Sequence, residues 1–202
     1  FFFSDGRSDI DQVTELGASG FLSVPSYQID RGIFENFLAR HAVDSGVRFV
    51  EGAAIRRITI GKAGACSEVA WTQGGSERQA TCRWLIDASG RAGLLKRKLG
   101  LAQANAHEAH AVWFRIADRI MLDEWSDDPG WRARCDPRAR WMSTNHLCGT
   151  GYWVWLIPLA SGSHSVGIVA DSNLHPLESM DSFEKAMDWL ASLGGVQSTE
   201  LA

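Results

Sequence analysis

The chain has 202 residues, 45% of them hydrophobic and 22% charged, the make-up of an ordinary folded protein rather than a disordered one. Its formal net charge of -4 argues against a nucleic-acid surface, which carries a basic excess. No apolar run approaches the roughly 18–20 residues that a membrane span needs, so neither nucleic acid nor membrane is an expected partner.

The opening Phe1-Phe2-Phe3-Ser4-Asp5-Gly6 lacks an initiator Met and the basic flank of a signal peptide, and reads as a strand entered part-way. Short apolar runs broken by Gly and polar turns then suggest strands and loops to about Tyr27. Asp30 can cap a helix. Ile33, Phe34, Phe37, Leu38 and His41 follow at helical spacing, and Gly46 stands where a left-handed C-terminal residue is wanted. Short strands are predicted at Val47–Val50 and Ile55–Ile60. A hairpin pairs Glu68–Thr72 with Ser76–Cys82 across Gly74-Gly75.

Arg83–Asp87 reads as a buried strand that opens into Ala88-Ser89-Gly90, with a short helix from Ala92 to Leu99. Ala111–Ile116 is strand-like, and Asp118–Arg138 is charged and irregular. Trp141–Leu147, Tyr152–Leu159 and Ser163–Ala170 then predict an antiparallel meander, closed by a helix from Ser182 to Leu193. Four cysteines, Cys66, Cys82, Cys135 and Cys148, show no C-x-x-C spacing, so buried free thiols in a reducing, cytoplasmic setting are expected. His107 and His110 are spaced as a metal pair on a helix would be, but no third ligand accompanies them, and no metal is expected.

Three segments carry chemistry. Arg31 stands in the first turn of a helix, whose N-terminus favours an anion; a solvated Arg is the plain alternative. Gly90 gives the Asp87-Ala88-Ser89-Gly90-Arg91 loop a backbone that a phosphate can approach. In Trp153-Val154-Trp155-Leu156-Ile157-Pro158, alternation places both Trp rings on one face of a strand that Pro158 ends. Such a pair suits a wall beside a flat ring or, equally, a packed sheet core. Seven of the nine Trp lie in the second half of the chain.

Together these segments resemble the flavin-dependent monooxygenase superfamily, in particular its tryptophan-halogenase-like branch. Arg31 to Leu38 resembles that superfamily's Arg-x-x-Phe-x-x-x-Leu helix. Asp87 to Gly100 is similar to its second FAD motif, G-A-D-G-x-x-S-x-V-R-x-x-L-G. Ala88, Gly90, Leu99 and Gly100 hold their places and Leu95 and Lys96 replace Val and Arg. Asp87, Ser89 and Gly93 depart from the pattern. Trp153 to Pro158 resembles the halogenase motif W-x-W-x-I-P at every specified position.

The resemblance implies an α/β chain: a partial glutathione-reductase-type FAD-binding domain (30–100) interleaved with an antiparallel β-sheet substrate domain, whose parts are the strands of 1–29 and the segment 101–202 with its C-terminal helix. It implies FAD as cofactor, bound by Arg31, Ile55 through its backbone, and Asp87, Ala88, Ser89, Gly90 and Arg91. It implies Trp153, Trp155 and Pro158 at a substrate pocket. The implied activity is oxidation of a halide or of an aromatic or apolar small molecule with reduced flavin and oxygen, the electrons coming from an external flavin reductase. The rivals are a flavin-dependent hydroxylase or reductase that does not halogenate, and a non-catalytic binding module derived from a flavoprotein. The family's G-x-G-x-x-G loop is not in this sequence, and no Lys precedes Lys62 to serve as the family's catalytic Lys. The chain is therefore expected to be an internal fragment, inactive alone.

Overall fold

The chain's structure is a computed structural model that describes residues 1–17, 24, 26–62 and 64–201. The middle of the strand-and-loop stretch expected before Tyr27 lies outside the described residues. In chain order the elements are β1 (Phe2–Phe3), β2 (Thr14–Glu15), α1 (Arg31–Asp44), β3 (Ala53–Thr59), β4 (Ser67–Gln73), β5 (Ser76–Cys82), α2 (Leu94–Lys98), β6 (Ala109–Ile116), α3 (Pro129–Ala133), β7 (Asn145–Gly149), β8 (Tyr152–Pro158), β9 (His164–Asp171), α4 (Phe183–Ser192) and α5 (Val196–Glu200). They divide into two units, Phe1–Gly32 with Ala106–Ala202, and Ile33–Asn105.

The first unit is built on a six-stranded sheet ordered β2-β1-β7-β8-β9-β6. β7, β8, β9 and β6 pair antiparallel in succession, but β1 runs parallel to β7, so the sheet is mixed rather than purely antiparallel as expected. Alternation decides which face is buried. Tyr152, Val154 and Leu156 are buried, as are Leu147 on β7 and Val166, Ile168 and Ala170 on β9. Helix α4 lays Ala186, Trp189 and Leu190 against this face, and Trp131 of α3 and Leu122 join the same core. Each such large apolar side chain contributes about 1.5–3 kcal/mol on burial.

Local chemistry sets the ends of these elements. The Ser182 hydroxyl accepts the Lys185 N–H at the start of α4. The Asp128 carboxylate accepts the Trp131 N–H at the start of α3, inside the stretch expected to be irregular. The strand expected from Trp141 begins later, at Asn145. Arg140–Met142 instead form a tight helical turn in which the Met142 and Ser143 N–H groups bond the carbonyls of Ala139 and Arg140.

In the second unit β3, β4 and β5 form an antiparallel three-stranded sheet. The β4–β5 hairpin turns on Gly74 and Gly75, whose φ of 54° and 79° are the two left-handed values that a tight hairpin turn needs. Helix α1 closes at Gly46, with the Val47 N–H bonded to the Ala42 carbonyl. The strands expected at Val47–Val50 and Arg83–Asp87 do not form. A strand exists only through its ladder, and neither segment is paired, which leaves Trp84 88% and Ile86 87% exposed. The apolar stripe of α1 is uncovered too, with Ile33 62% and Phe37 52% exposed.

The cysteines are free, but none is buried as expected; Cys66 is exposed and the others are half-buried. Among the described residues no helix is long and apolar enough to cross a membrane.

Candidate functional site

The face of the first unit's sheet opposite its core carries the Trp pair. Trp153 stands across from Cys148 on β7 and Val169 on β9, and Trp155 across from His146 and Gly167. Cross-strand partners share a face, so His146 and Cys148 flank the two indoles. Trp113 of β6, also opposite Gly167, adds a third indole and is well exposed. The Trp155 indole N–H donates to the Ser165 hydroxyl at 3.1 Å, and its ring passes over Gly167, where a β-carbon would collide with it. Pro158 ends β8 opposite His164. Val154 and Leu156 fill the core of this unit, and the two indoles stay half-buried on the other face.

A cleft of about 590 Å³ opens beside Trp153, lined by Phe1, Phe3, His107, His146, Cys148, Gly149, Gly151, Tyr152 and Asp171. The Phe1 ring stacks on the His146 imidazole at 4.6 Å. Burial holds the His146 pKa below its ordinary value and pushes the Cys148 thiol up. The aromatic rings favour a flat ligand, and the lining also includes the Asp171 carboxylate, whose pKa is lowered first by the Asn173 N–H.

The predicted cofactor residues are divided between the units. Arg31 belongs to the first; it is the first residue of α1 and is exposed. Ile55 belongs to the second, on β3 opposite Trp71, and is 41% exposed. Asp87 to Arg91 form a loop there that leads into α2. Asp87 accepts the Ser89 N–H at 3.0 Å through Oδ1 and the Leu95 N–H at 2.8 Å through Oδ2, and the Ser89 hydroxyl accepts the Leu94 N–H at 3.0 Å. The Ser89 hydroxyl, with the N–H groups of Ser89 and Leu95, holds the Asp87 carboxyl down at about 2. The first donors of α2 are thus taken up within the loop itself. Gly90, at φ 58°, has open space where a β-carbon would stand, and this is where the loop's backbone could meet a phosphate. The Gly90 opening in the second unit and the Arg31 guanidinium in the first can each take an anionic group. His107 precedes β6 and His110 lies on it, so they do not share a helix, and no group of three metal-ligating side chains occurs among the described residues.

The family model described as tryptophan halogenase matches residues 12–197. The chain belongs to the tryptophan halogenase family. Flavin-dependent halogenase armH3 of Armillaria mellea is 31% identical over 151 residues, which cover 71% of this chain and 28% of that protein. The 1H-pyrrole-2-carbonyl-[peptidyl-carrier protein] chlorinase of Pseudomonas fluorescens is 28% identical over 148 residues, covering 71% of this chain and 30% of that one. The chain thus spans under a third of the length of these relatives. Among solved structures, the flavin-dependent halogenase CmlS superposes with a TM-score of 0.63 over 95% of this chain and 33% of that one, at 20% identity. A flavoprotein/dehydrogenase from Cytophaga hutchinsonii gives 0.63 over 94% and 43%, at 22% identity. These two likenesses show the fold.

Within this member of the tryptophan halogenase family, sequence reasoning missed Phe3, His146 and Cys148 beside the Trp pair. The missing information was register. Once β7 pairs with β8 through Asn145 and Leu156, every second residue of β7 falls on the Trp face.

Proposed function

We propose that the protein containing this chain is an FAD-dependent, halogenase-like oxidoreductase that uses reduced flavin and oxygen to oxidise a halide or an aromatic or apolar small molecule. The observation that carries this reading is the Trp153–Trp155 pair, presented on the uncovered sheet face beside an apolar cleft instead of being spent on the core. When bound, FAD would supply the oxygen chemistry that side chains lack. The second unit would be part of a glutathione-reductase-type FAD domain, with Ile55 and the Asp87–Arg91 loop against the cofactor and Arg31 on its anionic portion. In this reading the unpaired edges at Val47–Val50 and Trp84–Ile86 are strands of that domain's sheet.

Trp153 would wall the cleft that receives the substrate, with Trp155 beside it on the same sheet face, and the aromatic lining would suit a flat ring. The electrons would come from a separate flavin reductase, and the free thiols suit a cytoplasmic protein. The 202-residue chain by itself would bind FAD weakly and be inactive. The test supplies the intact protein with reduced FAD, oxygen and an aromatic substrate set, with and without chloride or bromide, and follows products by mass spectrometry. A halide-dependent halogenated product is expected; an oxygenated product that forms equally without halide would defeat halogenation.

A further inference from the structure

Asp30, the residue before Arg31, has a side chain only 5% exposed, and donors from distant parts of the first unit converge on it. Arg115 of β6 donates twice, Nη1 to Oδ2 at 2.7 Å and Nη2 to Oδ1 at 2.9 Å. Ser161, in the turn between β8 and β9, donates its hydroxyl to Oδ2 at 3.1 Å, and the Gly32 N–H donates to Oδ1 at 3.1 Å. Two residues earlier, Gln28 is tied to the same sheet. Its carbonyl accepts the Ala160 N–H at 2.7 Å, and its side chain accepts from the Thr144 hydroxyl and donates to the Met142 carbonyl.

Capping a helix needs far less than this. One accepted N–H is enough, and Ser or Asn would provide it. A buried carboxylate is costly to desolvate and is retained only with matched donors. The two-pronged guanidinium fixes the orientation of the carboxylate as well as its charge. Consecutive Cα atoms stand about 3.8 Å apart, so whatever fixes Asp30 also fixes the root of Arg31.

We propose that Asp30, held by Arg115 and Ser161, is a positioning residue that sets where Arg31 stands for the anionic part of its cofactor. This rests on the reading of Arg31 as a cofactor contact. Ser161 lies in the turn that follows the Trp-bearing strand and Arg115 on β6, two strands away in the same sheet, so one clamp references the cofactor's Arg to the sheet that carries the substrate cleft.

The test measures FAD dissociation constants of the intact protein by flavin fluorescence, with thermal unfolding of the apoprotein alongside. The variants are Arg31→Met, Asp30→Asn and the two combined. Asp30→Asn keeps the cap but loses the charge, and is expected to weaken FAD binding about tenfold, with the combined variant no weaker than Arg31→Met alone. Should Asp30→Asn not fold, Asp30→Asn with Arg115→Gln restores a neutral hydrogen-bonded pair, and the same non-additivity with Arg31→Met is expected. If Arg31→Met weakens binding while Asp30→Asn has no effect, or the two effects multiply, the clamp is overturned and the cofactor reading stands. If Arg31→Met leaves FAD binding unchanged, the cofactor reading falls and the clamp falls with it.

Discussion

The Trp155 ring lies directly over Gly167, so that the indole occupies the space where any other residue at 167 would place its β-carbon. The contact is across strands in register, and Ser165 two residues earlier holds the indole N–H. Gly167→Ala is therefore expected to push the ring off the sheet and cost about 1–3 kcal/mol, as overpacking does. Urea unfolding of the intact protein measures the loss, and a shift in Trp emission reports the displaced ring. Unchanged emission and stability would contradict the geometry.

Arg140 is buried between Glu15 and Asp123, bonded to them at 2.6 and 3.1 Å, with its guanidinium 3.9 Å from the Trp131 ring centre. Arg140→Met keeps the bulk but strands two carboxylates, and is expected to destabilise the protein by about 3–5 kcal/mol. Replacing Asp123 with Asn in the same variant should recover part of that loss in denaturant titrations.

His164 is fully buried; its Nδ1 accepts the Ile120 N–H at 3.0 Å, which leaves the ring's proton on Nε2. Burial, and then the charge of Arg119, lower its pKa from the ordinary 6.5. The unfolded chain therefore binds this proton more readily, so the stability His164 provides is complete above the ordinary value and falls as the pH drops toward the folded one. Unfolding free energy should decline from pH 8 to pH 5, and the slope should flatten in His164→Gln. An unaltered slope in that variant would remove His164 as the cause.

The Asp87 carboxyl, exposed and held at about 2, should remain ionised well below the ordinary 3.8. Its contribution to the loop is present above 3.8 and is lost as the pH falls through about 2. Carbon-13 NMR of the carboxyl gives the midpoint directly. Ser89→Ala, which removes the largest cause of the shift, should raise that midpoint toward the ordinary value.

Much of this architecture is legible in the chain because it is local. The Gly74-Gly75 turn, the Gly46 stop and the alternation along Tyr152–Pro158 are each written within a few residues. What was not legible is who pairs with whom. Phe2 meets Leu147, Asp30 meets Arg115 and Glu15 meets Arg140, and no periodicity in the sequence encodes such distant partners. The same limit explains Val47–Val50 and Trp84–Ile86: an apolar run announces a surface that wants covering but carries no record of the neighbour.

The two-sided use of β8 also shapes how this protein can vary over generations. Substitutions at 154 and 156 meet the core and are filtered by whether the protein survives at all, whereas those at 153 meet the cleft on the other face. In the proposed reading, drift in chemical preference can then accumulate at 153 while the even-numbered positions stay fixed. In that reading a single seven-residue strand would keep inherited stability and inherited selectivity largely on opposite faces.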